Sequence, residues 1–157
     1  MRFTADLAAA TTPEVAFAAL YAESQRIEPV RLWTVMMVDM EAGLARRAYT
    51  SHPNDYPTSG TKPIPTNHWF QQVHDRRAPF VVNTLAAIAD VFPDHETIAA
   101  LGCGSCLNLP VTVGGALAGT VNLLDVEGRF DTRTVDHVAN QLALPAFAAL
   151  TLAKLLE

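Results

Sequence analysis

The tightest constraint on this chain is the run Ser105 to Asp125, where two apolar, strand-forming stretches meet at Gly114-Gly115. Paired glycines supply the positive φ angles of a two-residue turn whose twist matches that of the strands it joins. Ser105–Val113 and Ala116–Val126 therefore read as a β-hairpin, and the chain must build an antiparallel sheet around it. Side chains alternate across a strand, so Leu107, Leu109, Val111 and Val113 share one face. Cys106, Asn108, Pro110 and Thr112 share the other. This register sets Pro110 opposite Gly119. Proline cannot donate to the ladder and glycine has no side chain to pack, so the pair is expected to mark a bulge or bend.

Other elements fall around the hairpin. Phe3 to Gln25 is Ala-rich and reads as helix, with Thr12-Pro13-Glu14 as a start signal. Arg31 to Asp39 is rich in strand formers and mostly apolar on both faces, which suggests a central, doubly covered strand. Glu41-Ala42-Gly43 turns the chain into a partner strand, Leu44 to Ser51. Alternation there sends Arg47, Tyr49 and Ser51 the same way. His52 to Pro65 holds four prolines and Gly60, and no regular element is expected in it. Thr66 looks like a cap for a short helix carrying Trp69, Phe70 and Val73. Pro79 to Asn83 is a short strand, and Ala86 to Val91 a short helix or turn. Asp94 caps a further helix that Gly102 ends. The last helix starts at Asp131 and runs to the C-terminus, with a kink expected at Pro145. The order predicts an α+β fold, an α/β/α sandwich. Its antiparallel sheet has about five or six strands, the terminal helices on one face and the inserted loop and helices on the other.

Length and composition narrow the function. The 157 residues fit one domain, 1–157, able to bury a core without metal or disulfide staples. Half of the residues are apolar and 17% are charged, which argues against disorder. A net charge of −5 with no Lys/Arg stripe argues against nucleic acid; Arg46-Arg47 and Arg76-Arg77 are isolated pairs. No stretch is expected to span a membrane, since Leu142 to Leu156 contains Pro145 and Lys154. No signal peptide is recognisable, so a cytoplasmic protein with reduced Cys103 and Cys106 is expected.

The run Gly104 to Asp125, G-S-C-L-N-L-P-V-T-V-G-G-A-L-A-G-T-V-N-L-L-D, resembles the signature region of GAF domains: Ser, alternating apolar residues, Pro, a Gly turn, then Gly and an apolar strand. The element order agrees from about Phe3 to Leu156. PAS domains share the sheet architecture. The resemblance implies a pocket between the sheet and the inserted loop and helices, where members hold cyclic nucleotides, tetrapyrroles, haem, amino acids or other small ligands. It names no cofactor for this chain; the Cys-His dipeptide of phytochrome-like members is absent. It further implies a sensing role in signalling or regulation, a homodimer through the terminal helices, and a separate effector protein.

Two groups of residues are candidates for that pocket. One is Arg47, Tyr49 and Ser51 with the loop through Tyr56, Lys62 and Trp69. The other is the junction holding Cys103, Ser105, Cys106 and Asn108. Arg47 and Lys62 could hold an anionic group, Arg in bidentate fashion, while Tyr49, Tyr56 and Trp69 could stack on a planar one. Taken singly, Arg47 also reads as a surface residue, the tyrosines as edge packing and Trp69 as core; it is the combination that points to a site.

Cys103-Gly-Ser-Cys106 has a bland reading, two small apolar core side chains. A redox role comes second. The motif ends a helix and enters a strand, so no helix dipole favours the thiolate. A metal comes third, since two cysteines are short of a four-ligand zinc site. Free methionine-R-sulfoxide reductases are also stand-alone GAF domains, and similarity to them would make Cys103 and Cys106 catalytic in a thiol-dependent reductase. Those enzymes carry two further cysteines where this chain has Tyr56 to Pro79, which contains none. The leading reading is thus a small-molecule-binding module. The alternatives are that reductase and a ligand-free dimerisation module.

Overall fold

The computed structural model describes residues 2–157. The Ala-rich N-terminal segment forms two helices rather than one, α1 (Arg2–Ala8) and α2 (Pro13–Ile27). The break falls at the start signal: Thr12 is extended and its hydroxyl accepts from the Val15 amide at 3.3 Å. Pro13 then occupies the first helical turn, where its missing N–H costs nothing.

Six strands follow: β1 (Leu32–Asp39), β2 (Leu44–Thr50), β3 (Lys62–Pro63), β4 (Phe80–Val82), β5 (Ser105–Val113) and β6 (Ala116–Asp125). They form one sheet in the order β3-β2-β1-β6-β5-β4, with every neighbouring pair antiparallel. Between them lie α3 (His68–Phe70), which widens into a π-helical turn at Gln71–Asp75, then α4 (Leu85–Val91) and α5 (His95–Ala100). The chain closes on α6 (Thr132–Leu156), capped by Asp131, whose carboxylate accepts from Thr134 N at 2.8 Å.

The two faces of the sheet are covered as the alternation of β1 dictates. Trp33, Val35 and Met37 join Phe17 and Leu20 of α2 and Val138, Leu142 and Leu150 of α6 in the larger core. Leu32 and Val38 point the other way. There Ile88 and Ile98 cover one end and Trp69 and Val73 the other. The terminal helices thus cover one face and the inserted elements the opposite one.

Several local expectations need correction. Gly119 pairs with Val111 and not with Pro110, which faces Thr120. The expected bulge exists one step further on: Val111 pairs with Gly119 and Thr112 with Leu117, leaving Ala118 as the extra residue. Glycine is required at 119 by close approach, since a Cβ there would lie 2.2 Å from the Met36 carbonyl oxygen of β1. The loop expected to be structureless contributes β3, whose Lys62 and Pro63 pair with Ala45 and Leu44. Proline fits because β3 is the sheet edge. The cap of α3 is Asn67, not Thr66; its side chain accepts from Phe70 N at 3.3 Å. Pro145, where a kink is expected, lies inside α6, which runs to Leu156 as expected. At 25 residues α6 is long and apolar enough to cross a membrane, contrary to the expectation that no stretch is. Here its Val138, Leu142, Ala149, Leu150 and Ala153 are buried against the sheet.

Candidate functional site

A cavity of about 440 Å3 opens between the sheet and the inserted elements, where the second face is not filled by its own side chains. Its floor comes from β1, β5 and β6 through Thr34, Asn108 and Asn122. Arg47, Tyr56, Lys62, Trp69, Cys106 and Asn108, all named from the sequence, line it. Tyr49, Ser51, Cys103 and Ser105 do not.

For Tyr49 the reason is a second β-bulge. Val35 pairs with Tyr49 and Met36 with Arg47, so Ala48 is an extra residue between them. An extra residue reverses the alternation, and Arg47 and Tyr49 face opposite sides of the sheet. Tyr49 packs with Phe17, Tyr21 and Trp33 under the terminal helices. Ser51 lies beyond the end of β2, where its hydroxyl accepts from Trp33 N at 2.9 Å. Ser105 is buried and donates to Val126 O at 2.7 Å, closing the base of the hairpin.

At the cavity wall, Arg47 is already engaged. Its guanidinium lies 3.5 Å from the centroid of the Tyr56 ring. It donates to Asp94 at 3.0 Å and to the Pro57 carbonyl at 2.8 Å. Tyr56 donates its hydroxyl proton to the same Asp94 oxygen. Burial, followed by the Asp94 charge, pushes the Tyr56 phenol far above its ordinary range. Three elements are thereby tied together: β2, the Pro-rich loop and the start of α5. Sequence reasoning treats Asp94 as a helix cap. It does occupy that position, but its side chain makes no capping bond. With its charge paired, Arg47 is not the free anion receptor that the sequence suggests.

The cavity floor is a ladder of buried polar side chains. The Trp69 indole N–H donates to Asn108 Oδ1 at 3.1 Å, and the Cys106 thiol lies 3.5 Å from the same oxygen. Asn108 Nδ2 donates to Asn122 Oδ1 at 2.5 Å, and Asn122 Nδ2 to Thr34 Oγ1 at 3.0 Å. An indole can only donate, so Trp69 fixes the amide orientation of Asn108, and Asn108 fixes that of Asn122. Thr34 and Asn122 escape sequence reasoning. The available signal is a lone polar residue in an otherwise apolar, doubly covered strand, since such a group must find partners.

The two thiols are poorly placed for nucleophilic chemistry. Both are free and buried. Burial raises the Cys103 thiol to about 11, with Asp125 adding to the effect, and raises that of Cys106 further still. A nucleophile needs the thiolate, which these surroundings suppress. Among the described residues no three His, Cys, Asp or Glu side chains gather as a metal site would require.

The sequence matches the family model of the GAF domain over residues 8–145. It has no match among curated proteins. Solved structures with the same fold include the GAF domain of a two-component sensor histidine kinase from Bacillus halodurans. That match has 12% identity and a TM-score of 0.69, covering 89% of this chain and 94% of the other. The GAF-B domain of DevS from Mycobacterium smegmatis is 18% identical with a TM-score of 0.63, covering 91% and 96%. A free methionine-R-sulfoxide reductase from Neisseria meningitidis, solved with its substrate, is 14% identical with a TM-score of 0.64, covering 98% and 86%. At such identities the likeness concerns the fold alone.

Proposed function

The chain belongs to the GAF domain family, and we propose from that premise that it is a sensing module whose cavity takes up a small molecule for signalling or regulation. The observation that carries this reading is the cavity itself. A space of about 440 Å3 lies in the range of small-molecule sites, and apolar walls with a few converging polar groups are their usual lining. Arg47, Tyr56, Lys62, Trp69, Cys106 and Asn108 are the sequence-derived residues that would meet the ligand, joined by Asp94, Thr34 and Asn122. Tyr49, Ser51, Cys103 and Ser105 would support it from outside the cavity.

The partner reading is a homodimer through the terminal helices, signalling to a separate effector. It is supported by Leu144, Phe147 and Leu155, apolar side chains left 74%, 43% and 79% exposed on α6. Two free thiols suit a reducing, cytoplasmic setting.

Native mass spectrometry of freshly purified protein tests the ligand reading directly. A retained small molecule that is released on denaturation supports it. So does a melting-temperature rise with a metabolite from a broad library, provided Ala45→Trp abolishes it; Ala45 lines the cavity from β2. A stable Ala45→Trp protein that responds to the same compounds as the parent would remove the cavity from consideration. No retained mass and no response to any compound would favour a ligand-free dimerisation module.

A further inference from the structure

The proton arithmetic of the cavity floor narrows the ligand class. The Asn108 oxygen already receives two donors, the Trp69 indole and the Cys106 thiol, so it has nothing left to accept with. The Asn108 amide nitrogen makes one hydrogen bond, to Asn122, and the Asn122 amide nitrogen makes one, to Thr34. Each nitrogen carries two protons, so each retains one. The Thr34 oxygen accepts from Asn122, and its own proton has no acceptor among the described residues. Thr34, Asn108 and Asn122 are all buried, and all three line the cavity. The floor therefore offers three unspent donors beside two unspent lone pairs, one each on Asn122 Oδ1 and Thr34 Oγ1.

Charge completes the picture. Of the cations along the wall, Arg47 is paired with Asp94 and Arg46 with Glu157, while Lys62 is exposed on the edge strand. No cation stands at the floor to offset a buried negative charge, and a buried unpaired anion is costly. Donors without a cation select a neutral acceptor.

Resting on the cavity-binding reading above, we propose that the site takes a neutral, planar, carbonyl-bearing ring of the lactam or cyclic-imide class. Its carbonyl oxygen, with two lone pairs, accepts the spare amide protons of Asn108 and Asn122, and the Thr34 hydroxyl remains for a second acceptor on the ring, such as the other carbonyl of an imide. Trp69, held by its bond to Asn108, forms part of the wall around the ring. A ring lacking the carbonyl gains the same apolar contact but leaves the donors unpaired, and a site built to hydrogen-bond discriminates strongly against such analogues.

The test compares three bicyclic probes of nearly equal shape on the full chain: 2-quinolone, naphthalene and 2-naphthoate. Affinities come from tryptophan fluorescence and calorimetry. The expected result is that 2-quinolone binds at least about tenfold tighter than either of the others. The side-chain amide proton signals of Asn108 and Asn122 should move with 2-quinolone and not with naphthalene. Asn122→Leu should weaken 2-quinolone at least about fivefold without weakening naphthalene. Equal binding of 2-quinolone and naphthalene would overturn the carbonyl assignment while leaving cavity binding intact, as would preferential binding of 2-naphthoate. If none of the three binds, the carbonyl assignment fails, and the library screen then decides whether cavity binding fails with it. The amide signals are read on the parent protein, so an unfolded Asn122→Leu would not remove the test.

Discussion

At the scale of single residues, the Arg47–Tyr56–Asp94 group holds the loop against α5. Arg47 has three partners: a ring face, a carbonyl and a carboxylate. Asp94 is about a third exposed, so its ion pair alone is partly screened. The buried Tyr56 hydroxyl donating to a carboxylate is the stronger half, since hydrogen bonds to charged groups are worth about 1.5–3 kcal/mol. Tyr56→Phe and Asp94→Ala should each destabilise the chain by about 1–2 kcal/mol in urea unfolding. Their double variant should fall short of additivity by about 1 kcal/mol, because both remove the same bond. The cysteines give a second residue-scale prediction. Cys103 ionises near 11 in the folded chain against an ordinary 9.0. The folded pKa is the higher one, so the protonated thiol contributes stability in full below pH 9, and that contribution is lost as pH rises toward 11. Unfolding free energy should drop across this window, and Cys103→Ala should reduce the drop by on the order of 2 kcal/mol. A parent whose stability is flat from pH 8 to 10.5 would contradict the buried-thiol assignment. The sequence identifies Arg47, Tyr56 and Trp69 by chemistry, because cations and aromatics beside a stiffened loop are rare enough to notice. It hides Asp94, because an acidic residue at a helix start has a sufficient local explanation.

At the scale of elements, the β2 bulge decides which side chains of that strand face the cavity. Strict alternation puts Arg47 and Tyr49 together; the extra residue Ala48 separates them. Nothing in the run Leu44 to Thr50 announces a bulge, since alanine carries no conformational signal and the run reads equally well in either register. The hairpin is more legible. Gly114 and Gly115 have φ of 61° and 82°, as the turn requires, and the apolar face of β5 is as expected. The purpose of Gly119 lies in β1, a strand the local pattern does not reveal as its neighbour. Gly119→Ala makes that purpose measurable. The added methyl would meet backbone, the Met36 carbonyl at 2.2 Å, and also Leu150 at 3.2 Å. Backbone inside a sheet cannot swing aside as a flexible side chain does. A loss of at least about 2 kcal/mol is expected, through overpacking alone, since this glycine has no positive φ. Gly60→Ala is the matched control: nothing lies within 4 Å of its Cβ, and a change within about 0.5 kcal/mol is expected. Equal effects at the two glycines would mean that β1 and β6 are not in this register.

At the scale of the whole molecule, the sandwich uses its two faces differently. The face under α2 and α6 carries one continuous apolar core with a groove left between β5 and α6, while the face under α3, α4 and α5 leaves the larger cavity. This division is legible from element order, because a sheet covered on both faces needs two sets of elements, and the terminal helices and the inserted segment are the two available. The outer surface of α6 is less legible. From Leu142 onward the helix is apolar nearly all round, and only packing reveals which positions remain outside. Leu144 and Leu155 are eleven residues apart, about three helical turns, so they lie on one line along α6, with Phe147 flanking it. Exposed apolar side chains in such a line are what a partner helix would bury, and a second copy of the chain supplies the same line in return. Sedimentation should find a dimer at micromolar concentration. Leu144→Glu with Leu155→Glu places charge on the line without touching Val138, Leu142 or Leu150, which hold α6 to the sheet. That variant should sediment as a folded monomer with an unchanged far-ultraviolet spectrum, and its cavity should respond to small molecules as the parent does. A parent that is monomeric at every concentration tested would sink the dimer reading. A variant that stays dimeric would move the interface from α6 to another surface, and the line from Leu144 to Leu155 would then need a different occupant.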